Sequence, residues 1–383
     1  MNIKKMILGF ICFIGLGYLL NKIFGGDNVA DKIQYHVFFL DVGQGEATLI
    51  VKRVIPDKGE TKCYTMLVDT DSGETINPAT LIKDCVPKIK RNGTEVYFID
   101  SMLITHPHDD HIGGLNFFIN DADICVGKIF HPDYDFPRSK ETADYKAYKK
   151  LKKDSCNQTE TRIIAGQDYG SDTGISFTTF SPPKTIENAE KFKNQSEKIQ
   201  VHNQCSVIKV DLNGTKLLFL GDANQECAKR ILKYYKEKIP STILSASHHG
   251  SNSIFVPEID IEENLSSIKR GDKDNSWDEE ILDIIDPEYV IISCGKDNKY
   301  KHPHSAALEA YKEKKRNVKR TDIEGTIYFV VDDNGKYVVS YLKSYDSVKK
   351  TIKGLFPSTA STNESVKSFF VGGSSLPIPP RNA

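Results

Sequence analysis

The sequence predicts one large mixed α/β (α+β) body, preceded by a membrane-directed segment and followed by a tail. Three observations carry this. Apolar, β-branched runs stop abruptly at Gly- and His-rich loops, helix-spaced stretches separate the later runs, and 39% hydrophobic with 27% charged residues over 383 positions is a globular composition. That composition excludes a wholly disordered chain, a collagen and a polytopic transporter. Fifty-one basic against 52 acidic side chains leave a formal charge of -1. Any polyanion must therefore be met by a local patch and not by a bulk field.

Lys4 and Lys5 precede the uncharged run Met6 to Leu20, which Asn21 and Lys22 close. The run is shorter than the roughly 20 residues of a spanning helix, although Lys22 can snorkel and Ile23 with Phe24 extend it. Residues 1–26 are read as an anchor or a signal segment. No AxA-like pattern follows, which favours an uncleaved single-pass anchor; cleavage would make the protein secreted. Two lysines and the amino terminus before the run, against Lys22 after it, place the body on the extracytoplasmic side. Eight cysteines without a CxxC pair point instead to a reducing compartment. The membrane side stays open between the two.

The main folded body is read as residues 33–345. It opens with YHVFFLDVGQGEATLIV from Tyr35, two strands about the Gly43 and Gly45 turn. Tyr64 to Asp69 and Val96 to Thr105 follow as strands, the second ending in a histidine-rich loop. The lysine- and tyrosine-rich stretch from Tyr134 to Glu160 reads as a surface insertion. Asn213-Gly214 between Ser206–Leu212 and Lys216–Leu220 suits a type I′ hairpin turn. Helical spacing over 225–238, 279–285 and 305–315 alternates with short strands at 242–246 and 290–294. A last hairpin turns at Asp333-Asn334-Gly335, and residues 346–383 read as a flexible tail rich in Ser, Thr, Lys and Pro.

Chemistry concentrates in Thr105-His106-Pro107-His108-Asp109-Asp110-His111-Ile112-Gly113-Gly114, where five ligand-type side chains fall within six positions. Imidazole and carboxylate suit a borderline divalent ion, and a turn here can aim His106 and His108 at one ion and Asp110 and His111 at a second. Asp222, behind the apolar strand and Gly221, can bridge two cations with its two oxygens. In His248-His249-Gly250-Ser251 one imidazole, His248 by preference, completes the second ion, while the other orients a ligand or contacts substrate. Asp69 ends a strand and either steadies a ligand histidine or starts a turn.

Together, Asp41-Val42-Gly43-Gln44-Gly45, the 106–114 cluster, Asn203 with Ser206, Gly221-Asp222, the 248–251 run and His302-Pro303-His304 resemble the metallo-β-lactamase superfamily. More narrowly, they resemble the hydrolase domain of ComEC-type DNA-uptake proteins, from about Phe38 to about Tyr341. The resemblance implies a four-layer αβ/βα sandwich and two divalent metal ions, Zn or Mn. His106 and His108 would hold one, Asp110, His111 and His248 the other, with Asp222 bridging. Many superfamily members place a third histidine on the first ion. Here His202-Asn203-Gln204 stands, and the ComEC pattern assigns Asn203, whose amide oxygen shifts the balance toward Mn²⁺. Glu46 replaces an Asp and Lys301 a Gly of that pattern, and the multi-helix channel of the family has no counterpart in this sequence.

The reaction expected is hydrolysis of DNA or another phosphodiester. Asp110 and Asp222 serve catalysis, with His249 or His304 supporting the departing oxygen, and Gln44, Ser251 and His302 contact substrate. The basic run Tyr311 to Arg320 is either a phosphate-tracking face or solvated surface. Two alternatives stand beside this reading. One is hydrolysis of a small ester, lactam or cyclic nucleotide, and the other is a membrane-tethered metal-binding protein without turnover.

Overall fold

A computed structural model describes residues 31–73, 75–134, 141–151, 159–185, 195–258 and 262–357. The expected membrane segment, residues 1–26, lies outside them. No helix of the described residues is long and apolar enough to cross a membrane.

Two sheets form among the described residues. The first runs in the order Tyr337–Leu342, Thr326–Val331, Lys32–Phe39, Thr48–Ile55, Lys62–Val68, Thr94–Leu103, Ile124–Pro132 and Thr159–Ile163, with Lys88–Arg91 paired to Thr94–Leu103. The second runs Asn317–Arg320, Tyr289–Ile292, Ile243–Ser245, Thr215–Phe219, Val207–Leu212, Phe177–Ser181 and Asp168–Tyr169. Each sheet joins antiparallel hairpins to a block of parallel strands. In the first, Lys62–Val68, Thr94–Leu103 and Ile124–Pro132 are parallel; in the second, Thr215–Phe219, Ile243–Ser245, Tyr289–Ile292 and Asn317–Arg320 are.

Both faces of each sheet are buried, as the near-continuous apolar runs require. Phe39, Phe219 and Phe329 meet between the sheets, with ring centroids 6.1 and 6.0 Å from Phe39, among Val68, Leu103, Ile243 and Ile291. On the outer side of the first sheet the helices Pro78–Cys85, Leu115–Asn120 and Tyr345–Lys353 bury Leu81, Leu115 and Ile352. The second sheet is covered by Gln225–Tyr235, Glu280–Ile285 and Ser305–Lys312 through Ile231, Leu282 and Ala307. The result is the helix, sheet, sheet, helix layering.

Asn213 and Gly214 adopt φ of 54° and 98°, as a type I′ turn demands, and join Leu212 to Thr215. The folded body runs past the expected boundary at 345. Ser344 and Ser347 form a reciprocal capping box, and Val348 and Ile352 of the following helix are fully buried in the first outer core. The tail expected over 346–383 thus gives way to structure as far as residue 357, and the rest lies outside the described residues.

Candidate metal centre

In open α/β sheets, loops at the carboxyl ends of parallel strands are where ligands bind, because the strands all stop on one side and their connections converge there. Both parallel blocks end at the same place here. Val68 leads into Asp69, Leu103 into the 106–111 loop, Phe219 into Asp222, Ser245 into His248 and His249, and Ile292 into a loop reaching His302.

Four ligand atoms converge first: Nε2 of His106, Nδ1 of His108, Nε2 of His202 and Oδ2 of Asp222. Their separations are 3.2 Å for His106–His108, 3.1 Å for His108–His202, 3.4 Å for His106–Asp222 and 3.5 Å for His202–Asp222. Ligands placed tetrahedrally at about 2.0–2.2 Å from a zinc ion stand roughly 3.3–3.6 Å apart, so the set suits one cation. A second set holds Asp110, His111 and His249. Asp110 Oδ2 lies 3.4 Å from His249 Nε2, and His111 Nε2 lies 2.9 Å from Asp222 Oδ1. Asp222 therefore offers one oxygen to each set. Both its oxygens, with Nε2 of His111 and of His249, are buried without a hydrogen-bond partner. Such atoms are costly unless something satisfies them, and two divalent cations would satisfy all four.

Outer partners hold the imidazoles in register. Asp69 Oδ2 sits 2.8 Å from His111 Nδ1, while the same carboxylate accepts the Thr105 N–H and hydroxyl at 2.8 and 2.7 Å. Glu258 Oε1 lies 2.6 Å from His202 Nδ1, and the Ser293 carbonyl 2.9 Å from His249 Nδ1. A proton kept on Nδ1 leaves the Nε2 lone pair for the cation. Glu258 and Ser293 carry no sequence motif that marks them.

Several expected residues stand elsewhere. Ser196 caps the helix Glu197–Asn203 so that His202 reaches the first set. Asn203 donates its amide N–H to Gln195 at 3.0 Å, and its Oδ1, the expected ligand atom, is buried without a hydrogen-bond partner. His248 and His249 both have left-handed backbones, φ 48° and 53°, which turn the two rings apart. His249 thereby joins Asp110 and His111, whereas His248 faces His202, with ring centroids 4.5 Å apart, and Asp222 Oδ2 at 3.5 Å. His304 is buried and engaged at both nitrogens, by the Asn252 N–H at 3.0 Å and the Tyr300 carbonyl at 3.2 Å. Ser251 is buried and accepts from the Ser253 N–H as a cap. Gln44 and His302 do line the cleft, 3.4 Å apart. The basic run is structural in large part: Arg316 is buried on backbone carbonyls, Lys314 pairs with Asp283, and Arg320 grips Asp322.

The cleft above the two sets encloses about 1340 Å³. Asp71 enters it between the two glycine motifs, and a Cβ on Gly45 or Gly113 would stand 1.9 or 2.3 Å from its carboxylate. Those glycines leave room for a carboxylate as well as for a turn.

Burial alone would raise Asp222, but His248, His111 and His106 outweigh it and hold the carboxylate well below its ordinary range. Burial would likewise lower His249, yet the nearby carboxylates of Asp110 and Asp222 lift it to about 9 from an ordinary 6.5. A raised imidazolium adds stability that is complete below 6.5 and is lost as pH climbs through about 9. The chelated protein should therefore melt at lower temperature as pH rises across that window. A cation must displace this proton, so loading near neutral pH should release protons. Calorimetry in buffers of different ionisation enthalpy checks the release; a binding heat independent of buffer would refute it.

Residues 60–265, a little over half of the chain, match the family model described as Metallo-beta-lactamase superfamily. Among curated proteins the chain is similar to ComE operon protein 3 of Bacillus subtilis (strain 168), 24% identical over 301 residues that cover 76% of this chain and 32% of that protein. It is similar also to Recombination protein 2 of Haemophilus influenzae, 24% identical over 77% of this chain and 29% of that protein. Competence protein ComA of Neisseria gonorrhoeae is 23% identical over 77% of this chain and 32% of that protein. The chain spans about a third of the length of the curated relatives it matches.

Proposed function

The chain belongs to the metallo-beta-lactamase superfamily, and from that premise we propose that it hydrolyses phosphodiesters, with DNA as substrate. The observation that carries this reading is the division of Asp222, one oxygen to each of two ligand sets at the floor of an open cleft. When bound, two divalent cations, Zn²⁺ or Mn²⁺, supply Lewis-acid stabilisation and a water of lowered pKa. With His202 at the first set, its donors are three imidazoles and a carboxylate, which removes the argument for Mn²⁺ there.

The chain's own residues do the rest. Gln44 is fixed by the Gly295 N–H, which donates to its Oε1 at 3.0 Å, and it sets its amide beside His302 Nδ1. We assign this pair to substrate contact. His248 lines the cleft with Nδ1 3.1 Å from the Ser253 hydroxyl, and it takes the role at the departing oxygen that His304 cannot fill. Two relatives are named for recombination and competence, which directs the choice among phosphodiesters to DNA. Attachment to a membrane through residues 1–26 completes the proposal.

The test is to strip the protein with chelator, reload it with Zn²⁺ or Mn²⁺, and assay single- and double-stranded DNA beside bis(4-nitrophenyl) phosphate. Metal should restore cleavage, and His106→Ala or Asp110→Ala should abolish it. Bound metal without turnover of any phosphodiester would overturn the reading, as would turnover confined to lactams or carboxylic esters.

A further inference from the structure

We propose that the loop 295–301, with Lys198 across the centre, guides a single nucleic-acid strand over the metal site, so that the substrate is a polynucleotide strand and not a small phosphodiester. This rests on the hydrolase reading above. The loop follows the strand Tyr289–Ile292 and is fastened on its inner side. The Gly295 N–H donates to Gln44, and a Cβ on Gly295 would stand 2.8 Å from the Gln44 nitrogen. Asn298 donates to the carbonyls of Gly295 and His302 at 2.9 and 2.6 Å and accepts the His302 N–H at 2.9 Å.

What the fastened loop turns to the cleft is two cations and a ring. Lys296 and Lys299 are exposed, line the cleft and make no ion pair among the described residues. Several other cations are partnered, Lys314 with Asp283, Lys349 with Asp84 and Arg320 with Asp322, and Lys198 itself stands 3.7 Å from Glu258. Lysines held at a catalytic cleft without a carboxylate are suited to an anion from outside.

The rings form a continuous row across the floor. His202 stands 4.5 Å from His248, His248 5.2 Å from His302, and His302 5.7 Å from Tyr300, the last pair nearly parallel at 25°. Lys198 shares the helix of His202 four positions earlier and lines the cleft at one end of the row. Lys299 closes the other end, its ammonium 4.8 Å from the Tyr300 ring centroid. A small diester needs only the centre of such a row. A strand uses all of it, with phosphates at the flanking lysines and a base on Tyr300 that displaces the flexible Lys299 side chain toward the backbone. The carboxylates of Asp41 and Asp109, which also line the cleft, repel phosphate and confine the strand to the lysine side.

The experiment measures anisotropy of a labelled oligothymidylate on the full chain, in chelator, so that binding is read without turnover. Lys296→Glu with Lys299→Glu should weaken binding roughly tenfold or more and lower the slope of log affinity against log salt by about 1.4, the share of two phosphate contacts on a single strand. Lys296→Gln with Lys299→Gln should lower the slope equally, which guards against a folding defect in the first pair. Tyr300→Ala should bring the affinity for oligothymidylate down to that for an abasic strand of equal length, a loss of about tenfold. Unchanged slope and affinity in the lysine variants, or equal wild-type affinity for the abasic and thymidine strands, overturns the proposal. Failure of the metal-loaded wild type to cleave any phosphodiester would instead overturn the hydrolase reading, a result separable from the binding data.

Discussion

Asp222→Ala should strip both cations and lower metal-dependent phosphodiester turnover by more than about a hundredfold, since losing even a group that only orients a ligand costs about 10–100-fold. The side chain is 1% exposed and one of its oxygens faces each ligand set. Its position leaves no substitute. It follows the strand Thr215–Phe219 through Gly221, whose φ of 52° turns the chain where a Cβ would press on the Thr105 side chain at 3.1 Å. Asp222→Asn should be intermediate, because the amide keeps one acceptor and so serves one set. Metal content by plasma mass spectrometry, read beside the rate, distinguishes the variants. Two equivalents of metal retained by the alanine variant would show that Asp222 bridges nothing.

Asp69→Asn is the second large effect expected, although residue 69 approaches neither ligand set with a lone pair of its own. The carboxylate accepts from Thr105 twice and faces His111 Nδ1, all within 2.8 Å. An asparagine that keeps the Thr105 N–H bond through its oxygen places its NH₂ where Oδ2 stood, facing both the Thr105 hydroxyl and that nitrogen. His111 is then driven to the tautomer with its proton on Nε2, the atom that should face the cation. Metal affinity should fall about 10–100-fold, measured by competition with a chromophoric chelator. The far-ultraviolet dichroism should stay that of the folded protein. Equal affinity in mutant and wild type would show that the tautomer is set elsewhere.

How far the site could be read beforehand depends on how local its causes are. The 106–111 cluster was legible because its ligand types stand side by side at a strand end. Asp222 was legible because an apolar strand, a glycine and a carboxylate follow in order, and the Asn213-Gly214 turn because its stereochemistry is local. The approach of His249, rather than His248, to Asp110 and His111 depends on two successive left-handed residues, a conformation that bulky side chains adopt only when the surroundings impose it. His202 and Asn203 are neighbours on the helix Glu197–Asn203, about 100° apart in phase, and the phase is set where Ser196 caps the helix. The engagement of His304 comes from Asn252 and Tyr300, distant or unmarked in the sequence. The final helix was different: Val348, Ile352 and Leu355 carry a clear i, i+4, i+7 spacing, and polar composition obscured it.

The two ligand sets draw on both halves of the sandwich. Asp69 and the 106–111 loop leave one sheet, Asp222 and His249 the other, so neither alone presents a complete coordination sphere. Cation binding is thus thermodynamically linked to the docking of the sheets, and by mass action an occupied centre resists their separation. On the proposed reading, ions bound there would act as a rivet across the seam, and withholding them would loosen the fold as well as silence its chemistry.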